Sequence, residues 1–400
     1  MRIRSTARRP SSHRSIFPHR PAAAHCRTSP ARRPSRGNPA DINGDQGMSK
    51  HLANKQLTAR FLTELADTPV EDIGAVLERF CHGDCRWEIF HPFNRIDGLD
   101  NVASQFWGPL KRAFPDYEQR LGQVLAGEYE GREQVSTLGH VMGSFEARWL
   151  TIPPTHNLAF LRFGFNAIVR DGKFAKAYVL LDIPDLMRQA GCYPLRRMPG
   201  SAEQWPLPPI DSGATLDAVA AERGALSMAI VREMQLGLPK PGEVVSVSSA
   251  ASRHSRHWHE NMNWYGPAGI GSARRLRGFR ESHGALFLQA FPDRSGIARD
   301  PTGPEDGPGH YTRIGDGLFA VTGGWPSIHA THTGGQWLGL PPTGRKVEMR
   351  VADWYRLDRD DKIIDNWVMI DVPHMLQQMG LDILDDLRFF ADPALSRLRE

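Results

Sequence analysis

Acidic and aromatic residues alternate in a strand-like segment near the carboxyl-terminal end of this 400-residue chain, which reads IIDNWVMID at residues 363–371. Residues two apart on a strand point to the same side of a sheet, so Trp367, Met369 and Asp371 share one face. An aspartate held among apolar neighbours loses hydration when it ionises, and its pKa rises toward neutral pH. The pattern is typical of a general acid or base.

The same pattern occurs once more, where Tyr178, Leu180 and Asp182 alternate in AYVLLD. In both places the aspartate precedes I-P or V-P and a helical pattern. Aspartate followed by proline in the first turn is also typical of a helix N-cap, in which the carboxylate accepts the free N–H groups of that turn. We therefore consider two roles for Asp182 and Asp371, catalytic and capping, and both can hold for one residue.

An arginine lies in the strand that precedes each aspartate. Arg162 precedes Asp182, and Arg350 precedes Asp371. Such an arginine can bind an oxyanion of a ligand or pair with the carboxylate. The alternative is a solvated ion pair between neighbouring strands, which contributes little to the stability of the fold.

Several aromatic residues and histidines are candidates for the wall of a ligand pocket, because such pockets are mostly apolar with a few oriented polar groups. The alternative is an ordinary aromatic core. The predicted substrate-binding residues are Arg350, Arg162, Trp367, Tyr178, Trp354, Met369, His91, Trp87, Trp264, Tyr265 and His283.

The chain is an internal duplication. The tetrapeptide AFPD occurs at residues 113–116 and 290–293, and WLTIPPT at residues 149–155 matches WLGLPPT at residues 337–343. The offset is 188 here and becomes 189 after one extra residue in the turn at Asp360–Asp361. The predicted boundaries are residues 1–47 (a disordered Arg-rich leader or a mis-assigned start), 48–197 (copy one), 198–214 (linker), 215–382 (copy two) and 383–400 (a C-terminal tail helix).

Both copies show helical patterns first and strand patterns afterwards. Apolar residues recur at helical spacing in KQLTARFLTELA, VEDIGAVLERFC and TLDAVAAERGALSMAIVREM. A further helix ends before the proline of FPD, and Gly-containing turns such as RDGKF and IGDGLF indicate hairpins. The order predicts an α+β fold, with one curved antiparallel sheet per copy and helices on its concave side.

Composition excludes several classes of protein. The leader has ten arginines against two aspartates, so residues 48–400 carry a net charge of about −4, and no nucleic-acid partner is expected. No apolar run is long enough to predict a membrane span. The cysteines are few and scattered, which favours a cytoplasmic protein. Cys81, His82, Cys85 and His91 suggest zinc, but no second pair follows, and neither a metal nor a cofactor is predicted.

These motifs together resemble the SnoaL-like polyketide cyclase (ester cyclase) family of the nuclear transport factor 2-like superfamily. The resemblance is strongest in LPPTGRKVEMRVADWYRLDRDDKIIDNWVMID, and copy one keeps the order with His156 in place of the glycine of PPTG. It implies a cone-shaped α+β barrel with a deep apolar pocket. It also implies a cofactor-independent aldol ring closure of a hydrophobic polyketide-like ester, with Asp371 and Asp182 as the acid/base.

The resemblance leaves two other functions open. An epoxide hydrolase of the same fold uses an Asp, Arg, Asp cluster, of which Arg350 and Asp371 supply a part, since Ile370 precedes the terminal aspartate. A non-catalytic protein is the other alternative: a ligand-binding scaffold, or an intrachain pseudo-dimer in which one copy supports the other. An enclosed pocket with Asp371 at its base favours an enzyme, whereas a filled cone with an exposed aspartate favours a scaffold.

Overall fold

The computed structural model describes residues 41–385, apart from residues 204, 209–215, 218, 239–255 and 305–306. Residues 1–40 of the predicted leader and residues 386–400 of the predicted tail lie outside the described part. The described residues from Ile42 onward, which include those of both copies, fall within one compact unit.

The first helices of copy one follow the predicted helical patterns. Helix α1 (Asp41–Asp67) begins inside the predicted leader, and a short 3₁₀ helix (Val70–Asp72) leads into α2 (Ile73–Phe80). The large apolar residues of α2 are spaced so that they lie on one side of the helix, and all four of them, Ile73, Val76, Leu77 and Phe80, are buried. In copy two, α6 (Ala221–Leu236) takes the place of α1.

The third helix of each copy ends before the proline of FPD, as predicted. In copy one α3 (Leu99–Val102), a π-helical turn (Ala103–Trp107) and α4 (Gly108–Ala113) form one continuous helix. In copy two the corresponding segments are α7 (Arg275–Phe279), a π-helical turn (Arg280–Gly284) and α8 (Ala285–Ala290). The two π-helical turns lie at the offset of AFPD, 177 residues, so even this irregularity is repeated.

Copy one forms a six-stranded sheet in the order β2-β1-β6-β5-β4-β3. Its strands are β1 (Cys81–Ile89), β2 (Asn94–Asp97), β3 (Glu118–Tyr129), β4 (Arg132–Ser144), β5 (Leu158–Arg170) and β6 (Lys173–Leu181).

Copy two repeats this order as β8-β7-β13-β12-β11-β10, with the short β9 pairing with β11. Its strands are β7 (Trp258–Tyr265), β8 (Ala273–Arg274), β9 (Ser295–Gly296), β10 (His310–Asp316), β11 (Phe319–Thr331), β12 (Lys346–Leu357) and β13 (Ile363–Ile370).

The α+β class is confirmed, and each sheet is mixed. β1 pairs in parallel with β6, and β7 pairs in parallel with β13. A hairpin can join only antiparallel strands. The two strands of each parallel pair are instead separated along the chain by most of a copy, so the second strand can run in the same direction as the first.

Each sheet has an inner face toward the helices of its own copy and an outer face toward the other copy. In copy one Phe61 of α1 packs against Phe165 of β5 on the inner face, with ring centroids 5.7 Å apart. On the outer faces, Tyr178 of β6 stacks on Tyr311 of β10 at 3.7 Å. The indole Nε1 of Trp354 donates to Ser136 Oγ at 2.7 Å. The two sheets thus form the intercopy core, which is the buried cluster around Tyr178, Tyr311 and Trp354.

A short helix follows the last strand of each copy, as predicted. These helices are α5 (Ile183–Gln189) and α9 (Val372–Gln378). Part of the predicted linker then pairs with copy two: Gly200 N donates to Ile270 O at 2.8 Å, and Ser201 exchanges two 2.8 Å hydrogen bonds with Ser272. This part of the linker is therefore fixed to copy two by its backbone.

Candidate functional site

Both predicted aspartates are helix N-caps. Oδ1 of Asp182 accepts from the backbone N–H of Asp185 at 3.3 Å, and Oδ1 of Asp371 accepts from His374 N at 3.2 Å. Proline occupies the first turn of each helix. The capping interpretation of D-x-P is confirmed in both copies.

Each aspartate also pairs with the arginine of the preceding strand. Arg162 Nη1 lies 2.8 Å from Asp182 Oδ2, and Arg350 Nη1 lies 3.3 Å from Asp371 Oδ2. The aspartates are buried, and Asp371 has no exposed surface. The alternative of a solvated surface ion pair is therefore wrong for both arginines.

A third contact comes from the other copy. The backbone N–H of Ala268, after the first strand of copy two, donates to Asp182 Oδ2 at 2.9 Å. The backbone N–H of His91, after the first strand of copy one, donates to Asp371 Oδ2 at 2.9 Å. Each aspartate thus fixes a loop of the opposite copy, and the two contacts are related by the repeat.

Burial raises the pKa of both carboxyl groups, as the apolar setting predicted. The pKa of Asp371 rises to about 6, opposed by the charge of Arg350 and by the hydrogen bonds from His91 and His374. The pKa of Asp182 is raised for the same reason, with Arg162 opposing. Two cavities are described below, and neither is lined by Asp371 or Asp182.

The predicted substrate-binding residues near the aspartates share a face, but it is the outer face. Tyr178, Trp354, Trp367 and Met369 are at most 2% exposed and belong to the intercopy core. Tyr265 stacks on Trp367 at 5.2 Å at the edge of this core. Alternation identifies residues that share a face, but it does not tell which face is concave, and here the expected pocket wall is a packed interface.

The inner cone of copy one is filled. Trp87, a predicted pocket residue, packs edge-on against Trp107 at 6.2 Å. Phe61, Phe163 and Phe165 fill the space beside them, and none of these side chains is exposed. Aromatic packing of this kind leaves no room for a ligand of ordinary size.

The inner face of copy two is polar where copy one is aromatic. Asp353 of β12 lies on this face, since its neighbours Ala352 and Trp354 point to the intercopy core. Its side chain is half-buried. Burial raises the pKa of Asp353 to about 7, and hydrogen bonds from Asn366 and Tyr355 partly oppose the rise.

Helix α6 packs over the polar residues around Asp353 and contributes one side chain to them. Gln235 Nε2 donates to Thr322 Oγ1 at 3.0 Å and to Tyr355 Oη at 3.4 Å. The repeat offset places Phe165 at the position of Asp353 and Ala177 at that of Asn366. Sequence reasoning missed Asp353, and the signal was present: a carboxylate in copy two stands where copy one has phenylalanine.

Two other predicted residues do lie in the cone of copy two. His283 stacks on Trp264 with ring centroids 4.6 Å apart. Burial lowers the pKa of His283 to about 3, so its imidazole is neutral at physiological pH. Nδ1 of His283 and Nε1 of the neighbouring Trp337 are buried and have no hydrogen-bond partner among the described residues. By contrast, His91 lies at the interface beside Asp371, with its pKa lowered mainly by burial.

Two cavities open between elements of the described chain. The larger, about 390 Å³, lies in the cleft between α1 and α6, above β3 and β10. The smaller, about 120 Å³, lies beside Trp337 at the rim of copy two. Within residues that the structure describes, no group of three or more histidine, cysteine or acidic side chains is placed to hold a metal. None of the described helices is long and apolar enough to span a membrane.

One part of the chain matches a protein-family model. Residues 326–379, which include β12, β13 and Asp353, match the family model described as SnoaL-like polyketide cyclase. This segment of copy two is SnoaL-like. No curated protein matches the sequence.

Solved structures match about a third of the chain. A putative SnoaL-like polyketide cyclase from Jannaschia sp. CCS1 is 17% identical over 34% of this chain and 90% of its own, with a TM-score of 0.30. IdmH, a putative polyketide cyclase from Streptomyces antibioticus, is 20% identical over 39% and 99%, with a TM-score of 0.29. An NTF2-like protein from Burkholderia xenovorans LB400 is 12% identical over 39% and 98%, with a TM-score of 0.28.

Proposed function

We propose that the SnoaL-like copy two is the active part of a cofactor-independent enzyme and that copy one supports it. The substrate is a hydrophobic carbonyl or ester compound, polyketide-like in that it carries acidic C–H groups between carbonyls. The observation that carries the proposal is Asp353. It is a half-buried carboxyl group with a pKa of about 7 on the inner face of copy two, where copy one is filled by Phe165.

The chemistry needs no oxidant or cofactor. The Asp353 carboxylate takes a proton from the carbon between two carbonyls, and the C–H electron pair becomes an enolate. The enolate carbon then attacks a second carbonyl of the same molecule, which forms one C–C bond, and the resulting alkoxide receives a proton. A base whose pKa lies near the working pH is suited to both proton transfers. A cone that holds the two carbons together lowers the barrier further.

The predicted catalytic role of Asp371 and Asp182 is the rival assignment within the same function. Each of these carboxylates already accepts hydrogen bonds from its helix, its arginine and the opposite copy. A ligand at Asp371 would displace contacts that hold the copies together. The contacts therefore favour an anchoring role for these two residues and leave Asp353 as the proton acceptor.

The epoxide hydrolase alternative has one supporting observation. Arg162 lies 2.8 Å from Asp182 and 3.5 Å from Asp185, which is an Asp, Arg, Asp cluster. However, Arg162 Nη2 also donates to Ala202 O, and the guanidinium lies over Trp205 at 5.3 Å. The cluster is closed off by the linker, so we favour the acid/base function of copy two.

Exchange of acidic protons tests the proposal without knowledge of the natural substrate. We would follow the loss of the α-proton signal of aromatic β-keto esters in D₂O by NMR with the full chain, Asp353→Asn and Asp371→Asn. We expect wild-type protein to accelerate exchange, Asp353→Asn to lose at least about 100-fold of that acceleration, and Asp371→Asn to retain most of it. Equal rates for wild type and Asp353→Asn, with the loss in Asp371→Asn, would assign the role to Asp371 instead.

A further inference from the structure

The cavity of about 120 Å³ at the rim of copy two is built by both copies. Copy two contributes the loop around Trp337, the helix residues Ser282 and Leu286, and the loop at Gly269. The end of copy one contributes Arg196 and Arg197. A single copy would lack one side of this cavity.

The lining is cationic. Its lining residues include Arg196, Arg197, Ser282 and Gln336, and none of them is acidic. Neither arginine has an ion pair or a side-chain hydrogen bond within the described residues, and both are exposed. Two arginines that line one cavity without an acidic residue among its lining attract anions.

The position of the arginine pair is fixed by the backbone. Gly200 and Ser201 are tied to Ile270 and Ser272 by three 2.8 Å hydrogen bonds, as described above. The stem of Arg196 lies against Gly339, where an added Cβ would be 3.1 Å from its Cδ. The segment is thus fixed at the rim of copy two, and the aliphatic part of the Arg196 side chain contacts copy two.

Deeper atoms at the same place also have no partner. Trp337 lines the cavity, and its Nε1 is buried with no hydrogen-bond partner in the part of the chain that the structure describes. Its ring lies 5.6 Å from that of His283, whose Nδ1 is likewise unpartnered. Buried polar atoms are seldom left unpaired in folded proteins, and a bound molecule is one way in which they are satisfied.

We propose that this rim cavity binds the carboxylate of an aromatic or other apolar acid, whose body extends toward the cone of copy two. Arginine binds carboxylates through two parallel hydrogen bonds, which gives both affinity and orientation. The apolar body would contact Leu286 and the face of Trp337. The inference rests on the proposed role of copy two as a ligand-binding cone, and it adds that the ligand is an anion recognised by a segment of copy one.

The test compares two probes of the same shape with the full chain. Isothermal titration with 1-naphthoate and 1-naphthamide separates the contribution of charge from that of the ring. We expect the naphthoate to bind at least about tenfold more tightly than the amide, and the double variant Arg196→Gln/Arg197→Gln to remove that preference. The matched control is Arg277→Gln on the exposed side of α7, which should keep it.

Equal affinity for the two probes, no binding of naphthoate, or an unchanged preference in the double variant would each overturn the inference. Failure of the proposed function looks different. If Asp353→Asn keeps proton exchange but the charge preference is present and depends on the arginine pair, the enzyme assignment fails while the anion site stands. Conversely, loss of exchange in Asp353→Asn without any charge preference retains the enzyme and removes the anion site.

Discussion

The backbone N–H of His91 donates a 2.9 Å hydrogen bond to Oδ2 of Asp371, and this bond joins the two copies of the chain. Its counterpart runs from Ala268 to Asp182 at the same distance in the opposite direction. The two aspartates that the sequence predicts to be catalytic therefore each hold a loop of the opposite copy. We call these two reciprocal hydrogen bonds the intercopy joint. The arrangement explains why both copies keep the aspartate even though copy one has a filled cone.

Removal of the Asp371 carboxylate should weaken this joint. Asp371→Ala leaves Arg350 without its acid, α9 without its cap and His91 N–H without its acceptor. We expect a loss of about 3–5 kcal/mol in the free energy of unfolding, as for other broken buried pairs. Asp371→Asn keeps an acceptor oxygen and should lose less. Urea denaturation of the two variants and wild type measures the difference, and equal stability of Asp371→Ala and wild type would contradict the joint.

A buried ion pair also crosses between the copies and gives an independent test. Lys55 Nζ of α1 lies 2.6 Å from Asp316 Oδ2 at the end of β10, and both side chains are nearly inaccessible to solvent. Replacement of one partner leaves the other charge buried, which costs about 3–5 kcal/mol. We expect Lys55→Met to lower the free energy of unfolding by this amount.

The double variant Lys55→Met/Asp316→Asn should be less destabilised than the sum of the two single variants, because neither charge is then left alone. Ala126 N donates to Asp316 Oδ2 at 3.0 Å, and asparagine at position 316 retains an acceptor for it. A double-mutant cycle by urea denaturation measures the coupling. A coupling energy near zero would show that the pair does not hold the copies together.

The pKa of Asp353 makes stability depend on pH in a definite direction. Its folded pKa of about 7 lies above the ordinary value, so the folded protein binds this proton more tightly than the unfolded chain does. The stabilising contribution is complete below about pH 4 and is lost as pH rises through 7. Asp353→Asn lacks this dependence.

We therefore expect the unfolding free energy of wild type, relative to Asp353→Asn, to fall by on the order of 4 kcal/mol between about pH 4 and about pH 8. Asp371, whose pKa is also raised, is present in both proteins and cancels in the difference. Urea denaturation at the two pH values provides the measurement. A relative stability that stays constant, or rises, would show that Asp353 is not buried in the way described.

The close approach of the two sheets is tested by a glycine. A Cβ added at Gly164 of β5 would lie 2.7 Å from the ring of Trp354 in the other copy, so Gly164→Ala must displace that indole. We expect a loss of about 1–3 kcal/mol in unfolding free energy. The matched control is Gly83→Ala in β1, where an added Cβ meets nothing within 4 Å. If the two variants have the same melting temperature, the intercopy core is looser than described.

Local patterns in the sequence predicted the elements well because their causes are local. Proline ends the helices before Phe114 and Phe291, and aspartate with proline begins α5 and α9. The duplication was visible because residue offsets are a property of the sequence itself. The fold class followed from the order of these elements.

The position of the candidate site could not be predicted in the same way. Period-two alternation groups Trp367 with Met369 on one face, but whether that face meets helices or a second sheet depends on the packing of the two copies. The same packing brings the backbone N–H of His91 to Asp371, which therefore joins the two copies. A comparison of Asp353 with Phe165 across the repeat would have indicated the polar cone.

The dependence of proton exchange on pH tests the role of Asp353 most directly. We would measure the rate of α-proton exchange of an aromatic β-keto ester with wild type and Asp353→Asn between about pH 5 and about pH 9, after subtraction of the rate without protein. We expect the wild-type rate to rise with pH and level off above an apparent pKa of about 7, and this rise to be absent in Asp353→Asn. The same pH profile and the same rate in both proteins would contradict catalysis by Asp353.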